Sequence, residues 1–230
     1  MSDAEAPPLV RVAGATRTHG TVQVLAPTSF EVAPGRAVVV VGPNGSGKTT
    51  LLRLVAGADL PTSGTVTALG TTAFEARLTR RDDLVVLLDG LPTYPDLTVE
   101  EHLELVASAW RKRHVLGNRP APPVDEALEA AGLTRVRDQY PGELSSGESQ
   151  MFALACTLYR PGALVVIDEP EQRLDVRWRA LVRGLLVEAL DSGRALVVAT
   201  HDLDLRAALT APGPDGRPRG AEVALAAPTR

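Results

Sequence analysis

The chain has 230 residues, 44% of them hydrophobic and 23% charged, with 20 Gly and 18 Pro, a composition that excludes disordered and fibrous classes. A net charge of -4 offers no basic excess to neutralise phosphate backbones, so no nucleic acid partner is expected. No apolar run reaches the roughly 18 residues of a membrane span. The opening Met1-Ser-Asp-Ala-Glu-Ala-Pro-Pro lacks the basic and apolar regions of a signal peptide, so a cytoplasmic location is expected.

In chain order, strand-like pieces at 9–13, 21–25 and 29–32 predict an antiparallel flap. The short β-branched run 38–41 reads as a strand buried on both faces, followed by a Gly-rich turn and a helix over 49–56. A second buried strand is expected at 84–88. From 90 to 143 the pattern is helix and loop, with a helix over 99–113 and breaks at 117–120 and at Pro122-Pro123. The basic cluster 111–114 reads as a solvated helix end. Helices over 149–159 and 176–190 then alternate with strands at 164–167 and 196–199, and 212–220 reads as a surface turn. Alternation of this kind predicts an α/β domain with a mostly parallel sheet. The expected division is a core of 1–89 and 144–230 that carries the antiparallel β flap, with 90–143 as a helical insertion.

Basic residues are 22 Arg and only two Lys, Lys48 and Lys112, so a lysine marks a specific need. Lys48 lies in Gly42-Pro43-Asn44-Gly45-Ser46-Gly47-Lys48-Thr49-Thr50, which fits G-x-x-x-x-G-K-[ST] between a strand and a helix. Such a loop turns successive amides inward around an anion, and the helix start adds its dipole. Lys48 would reach the β- and γ-phosphates of ATP, and Thr49 would meet a magnesium ion. The buried run 163–167 ends in Asp168-Glu169-Pro170, where open α/β sheets bind ligands. Asp168 would hold the Mg2+ shell, and Glu169 would polarise the water that attacks the γ-phosphate. The lone thiol, Cys156, sits in an apolar helical pattern and reads as a buried structural residue.

These motifs, with Leu144-Ser145-Ser146-Gly147-Glu148, Leu174-Asp175 and His201 in order behind them, resemble the ATP-binding cassette (ABC) ATPases, the nucleotide-binding subunits of ABC transporters. The resemblance runs from about Val10 to about Leu209. It implies a P-loop NTPase core, ATP and Mg2+ as ligands, and ATPase activity. Residues 145–148 stand in the place of the family signature, Asp175 ends a D-loop, and His201 matches the switch histidine that senses the γ-phosphate. Ser145 and Glu148 also have the spacing of a capping box, a reading compatible with the first. By its distance from 94–99, Asp89 aligns with the family's Q-loop glutamine; it is either a magnesium contact or an ordinary strand-end Asp. His19 falls near the adenine-stacking aromatic, or is an exposed loop histidine.

The chain departs from the family at Ser146, Glu148 and Asp89, and at Arg173, where small residues are usual. The resemblance implies a head-to-tail dimer, since Lys48 of one copy needs Ser145 and Gly147 of another. It also implies a separate transmembrane permease and a peripheral position on the inner face of the cell membrane. The second ABC ATPase subunit is an identical or a different chain. The 94–99 stretch and the short length resemble exporter cassettes, so export is the expected direction. Two alternatives stay open: a soluble ABC ATPase of a non-transport complex, and a low-turnover regulatory cassette in a heterodimer.

Overall fold

The computed structural model describes residues 7–110 and 122–226. The basic cluster 111–114, the break at 117–120 and the end of the helix expected over 99–113 lie outside the described residues.

Two sheets are layered across one helix. The first is antiparallel and contains β1 (Val10–His19), β2 (Val22–Val32), β4 (Ser63–Ala68) and β5 (Thr71–Thr72) in the order β2-β1-β4-β5. The flap pieces expected at 9–13, 21–25 and 29–32 are two long strands whose pairing is interrupted by register shifts between Val12 and Thr18. Bulges of this kind break the two-residue alternation along a strand, so one long strand reads as shorter pieces. The second sheet is parallel throughout: β3 (Ala37–Val41), β6 (Leu84–Leu87), β7 (Leu164–Asp168), β8 (Ala195–Ala199) and β9 (Gly220–Ala224), ordered β6-β7-β8-β3-β9.

Alternate residues along the parallel strands enter two apolar clusters, as strands covered on both faces require. Val38, Val40, Leu164, Val166 and Val197 join the cluster shared with β1, β2, β4 and α1 (Lys48–Val55). Val39, Val165, Ile167, Leu196 and Val198 join the opposite cluster. That side is covered by α5 (Ser146–Tyr159), α6 (Val176–Asp191) and α7 (Leu203–Thr210), together with α3 (Val99–Trp110) and α4 (Val124–Ala130). Leu51, Leu52 and Leu54 of α1 are fully buried, each contributing roughly 1.5–3 kcal/mol of transfer free energy. α5 is buried nearly all round from Met151 to Cys156, as expected of a helix apolar on every side.

The segment between β6 and α5 is fixed by two polar devices. Buried His102 donates from Nδ1 to Thr98 O and accepts from Tyr94 N–H at Nε2, both at 2.8 Å, which pins the loop before α3 to the helix. Arg137 bridges Glu100 of α3 and Asp125 of α4. The Glu100 carboxyl is held below its ordinary value by its hydrogen bond with Arg137. A short helix not anticipated from the sequence, α2 (Ala73–Thr79), starts with a complete capping box between Thr72 and Glu75.

Candidate functional site

The parallel register gathers the chemistry at one end of the sheet. Asp168 pairs with Ala199 across β7 and β8, and Ala199 pairs with Val40 across β8 and β3. The loop 42–47 after β3, the acid pair at the end of β7 and Thr200-His201 after β8 therefore leave three adjacent strands at the same level. This is the carboxyl edge where open α/β sheets hold their ligands.

The loop between β3 and α1 is shaped by glycines that no other residue could replace without moving the backbone. Gly47 has φ 94°, and a Cβ there would stand 2.4 Å from Val24 O; at Gly42 it would stand 2.7 Å from Leu225 O. Gly47 is also the N-cap of α1 and supplies no side-chain oxygen, so the first amides of the helix carry no side-chain cap. Lys48 is buried and folds back over the loop, with Nζ donating to Gly42 O at 3.1 Å and Pro43 O at 3.4 Å. The Ser46 hydroxyl is buried with no protein partner. Asn44 and Gly45 are exposed, and Thr50 follows on α1.

Thr49 Oγ1 donates to Asp168 Oδ2 at 2.5 Å. Burial pushes the Asp168 carboxyl above its ordinary value, with the Thr49 hydrogen bond pulling the other way and Glu169 and Asp89 adding to the rise. Its second oxygen, Oδ1, is buried without a partner. A hydroxyl and a half-satisfied carboxylate are hard oxygen donors suited to magnesium, which takes one or two protein ligands and completes its shell from phosphate and water. Among the described residues, no three His, Cys, Asp or Glu side chains come together as a metal cage. Asp89 is exposed and pairs with Arg53 Nη1 at 3.3 Å.

Glu169 has φ 43°, the left-handed region that a side chain adopts only under constraint. Its N–H donates to Ala199 O at 2.9 Å, which holds the turn against β8. The carboxylate then lies between two partners: Oε1 is 3.4 Å from His201 Nε2, and Oε2 accepts from Gln172 Nε2 at 3.1 Å. Gln150 of α5 donates to Pro170 O at 3.2 Å, tying that helix to this turn.

Ser145 caps α5, accepting from Glu148 N–H at 3.3 Å, while the Glu148 carboxylate accepts from Ser145 N–H at 2.8 Å. The Ser145 hydroxyl, which donates to Glu148 Oε2 at 2.5 Å, and then the Ser145 N–H hold the Glu148 carboxyl below its ordinary value. α5 starts three residues earlier than the apolar pattern indicates because the cap, not the first apolar residue, sets the helix start. Ser146 opens the helix, and a Cβ at Gly147 would meet only Leu174 and Trp178 at ordinary contact distance. Asp175 caps α6 by accepting from Trp178 N–H at 2.9 Å. No hydrogen bond or ion pair among the described residues joins residues 145–148 to the loop 42–50. His19 ends β1 in the antiparallel sheet and is exposed.

Residues that the sequence reading passed over complete the picture. Glu171 is buried and its Oε1 accepts from Thr200 Oγ1, His201 N–H and Asp202 N–H at 2.6, 2.9 and 3.3 Å. Gln172 and Gln150 brace the same turn. The available signal was an acidic side chain in the run from Glu169 to Asp175, which is legible only once the turn is known to face inward.

Comparison with known proteins agrees with this geometry. The sequence pattern of the family described as ABC transporter matches residues 25–172. The zinc import ATP-binding protein ZnuC of Alcanivorax borkumensis is 36% identical over 88% of the chain and 73% of its own length. The aliphatic sulfonates import ATP-binding protein SsuB 2 of Burkholderia cenocepacia is 34% identical over 86% of the chain and 70% of its own length. An uncharacterized ABC transporter ATP-binding protein of Sinorhizobium fredii is 31% identical, and the chain spans 51% of its length. The dimeric post-hydrolysis structure of the ATP-binding cassette MJ0796 with ADP and Pi superposes with TM-score 0.74 at 25% identity, covering 94% of each chain. The expected export direction finds no support among these relatives; those named for a direction are import proteins, and the 94–99 stretch carries no mechanism that fixes direction. Parallel sheet, antiparallel subdomain, family pattern and relatives together place the chain in the ABC transporter family, as one of its ATP-binding ATPase cassettes.

Proposed function

We propose that this chain binds ATP on the loop 42–50, hydrolyses it together with a second cassette, and drives a separate transmembrane permease in uptake. The observation that carries this reading is the convergence of Thr49 with Asp168 at 2.5 Å and of Glu169 with His201 at 3.4 Å on three neighbouring strand ends. Lys48 exchanges its contacts with Gly42 O and Pro43 O for the β- and γ-phosphates. The amides of Gly42, Asn44, Gly45 and Gly47 surround the phosphate chain; Pro43 has no N–H, and the Ser46 N–H donates to Pro43 O at 3.2 Å. Thr49 and Asp168 would hold Mg2+, which supplies charge neutralisation on the phosphates when bound. Glu169 orients and deprotonates the attacking water, and His201 steadies the γ-phosphate beside it. Asp89, near enough to act on the Asp168 charge, links this group to Arg53 and the segment that follows β6.

Ser145 and Gly147, at the start of a capped 14-residue helix, serve the nucleotide of the opposite subunit, which supports a head-to-tail pair. Asp175 and Arg173 lie on the approach between the two copies, and His19 approaches the adenine. Import is favoured by relatives named for zinc and for aliphatic sulfonates; their different cargoes leave the solute to the permease. No helix among the described residues is long and apolar enough to cross a membrane, which fits a peripheral position through that permease.

The test is native mass spectrometry of the complex captured from source membranes through a tag on this chain, followed by reconstitution. A polytopic membrane protein with two cassettes, and ATP-dependent movement of solute in the direction of the cytoplasm, is the expected result. Recovery of soluble partners alone overturns the transporter reading and leaves the ATPase in place.

A further inference from the structure

The two carboxylates of the turn after β7 hold opposite ends of one histidine. Glu169 Oε1 faces the His201 ring at 3.4 Å, and Glu171 Oε1 receives the His201 backbone N–H at 2.9 Å. Glu171 also binds the residues on either side: the Thr200 hydroxyl at 2.6 Å and the Asp202 N–H at 3.3 Å. Thr200 Oγ1 in turn accepts from Asp202 N–H at 3.0 Å.

This crossover between β8 and α7 has no regular secondary structure of its own. The His201 ring is half exposed, with Glu169 as its charged partner. Its location therefore follows from the peptide that carries it, and Glu171 is the side chain that fixes that peptide. A buried carboxylate is costly unless donors satisfy it. Glu171 is 7% exposed and places all three donors on one oxygen, leaving Oε2 buried without a protein partner. A group kept in so unfavourable a setting, between the acid and the histidine of the site, is poorly explained by packing alone. The positive φ of Glu169 turns the chain so that two residues only two apart face the two sides of His201.

From this we infer that Glu171 is a positioning residue for ATP hydrolysis: it sets the distance between His201 and Glu169 by clamping the 200–202 backbone. The inference rests on the reading of His201 as a γ-phosphate-side group. It deepens that reading, because it makes the Glu169–His201 geometry depend on a side chain that touches neither the nucleotide nor the water.

The experiment is steady-state ATP turnover by the full chain in four forms: parent, Glu171→Leu, Glu171→Gln and His201→Ala, with the Glu171→Leu/His201→Ala double variant closing the cycle. Leucine fills the space without accepting; glutamine keeps an acceptor oxygen at the Oε1 position. The expected result is a loss of kcat of at least tenfold in Glu171→Leu with KM for ATP within about twofold, and recovery to within about threefold in Glu171→Gln. In the His201→Ala background, Glu171→Leu should add less than about twofold, since the clamp then has no ring to position. Should Glu171→Leu fail to fold, Glu171→Asp, which withdraws the carboxylate by one methylene, takes its place in the same cycle. Parent-like turnover in the variant, or a loss that multiplies with that of His201→Ala, overturns the positioning role while leaving His201 in the site. Full turnover in His201→Ala overturns the reading of His201 itself, and the clamp with it.

Discussion

Thr49 on the first turn of α1 donates a 2.5 Å hydrogen bond to Asp168 at the end of β7, and so joins the nucleotide loop to the acid strand through one oxygen. The other oxygen of Asp168 is buried without a partner, and burial raises the carboxyl above the ordinary 3.8. Between 3.8 and that higher value the folded chain keeps a proton the unfolded chain has released. Stability attributable to this group therefore falls as pH rises through that window, and at neutral pH ionised Asp168 is a net cost to folding. Asp168→Asn should raise Tm at pH 7, with the gain over the parent shrinking as pH approaches 4. The same variant should lose magnesium-dependent ATP turnover. Scanning calorimetry at a series of pH values checks the first effect, and a constant gain at every pH would show that the carboxylate charge is not its origin.

Glu169→Gln preserves the shape of the turn, since an amide can still meet His201 and Gln172. It removes the base. Turnover should fall by roughly 10²–10⁴-fold, while binding of a fluorescent ATP analogue stays within about twofold of the parent. A stopped-flow phosphate-release assay measures the rate; unaltered turnover would remove Glu169 from proton transfer.

At the start of α5, capping and ligand recognition make different demands on Ser145. Ser145→Ala removes the acceptor for Glu148 N–H and should cost about 1 kcal/mol of stability, whereas Ser145→Gly should cost only about a few tenths. Both remove the hydroxyl proposed to meet the opposite nucleotide, so both should lower turnover by at least roughly tenfold, the loss expected from one hydrogen bond to a charged group. Chemical denaturation set beside ATPase rates separates the two: glycine rescues the midpoint but not the rate.

Cys156 is buried in α5, and burial pushes its thiol up to about 12. At pH 7 only about 10⁻⁵ of it is thiolate, the form that reacts. Alkylation by iodoacetamide should follow the rate of global unfolding and reach full extent only in denaturant. Rapid labelling of the native chain would place Cys156 at a locally opening segment instead.

The parts that were legible in the sequence are those governed by short-range rules. Val38–Val41, Leu164–Ile167 and Leu196–Ala199 are continuous apolar runs because both faces of their sheet are covered, and Gly42 and Gly47 mark a backbone path that a Cβ would block. What escaped was set by tertiary contact. β9 reads Gly-Ala-Glu-Val-Ala and lies at a sheet edge, so only Val223 carries strand character. The first half of β4 is exposed and is held by its pairing with β1. The start of α2 was in principle readable from the Thr72 to Glu75 spacing, but the helix is too short to show a periodic apolar face. Glu171 escaped for a different reason: its partners are 29 to 31 residues away in sequence, and no local pattern reports a carboxylate that faces a neighbouring strand's exit.

β9 has a consequence for handling the protein. It pairs along the whole of β3, from Ala37 to Val41, and just beyond it Leu225 N–H donates to Val41 O at 2.8 Å, immediately before the nucleotide loop begins. A chain cut before Gly220 would leave β3 with a row of unpaired amides and carbonyls beside Gly42, an open template for edge-to-edge association. Recombinant versions trimmed at that point should be recovered as aggregates rather than as weakened enzymes, because the strand that shields the sheet also holds Val41, the residue that leads into Gly42.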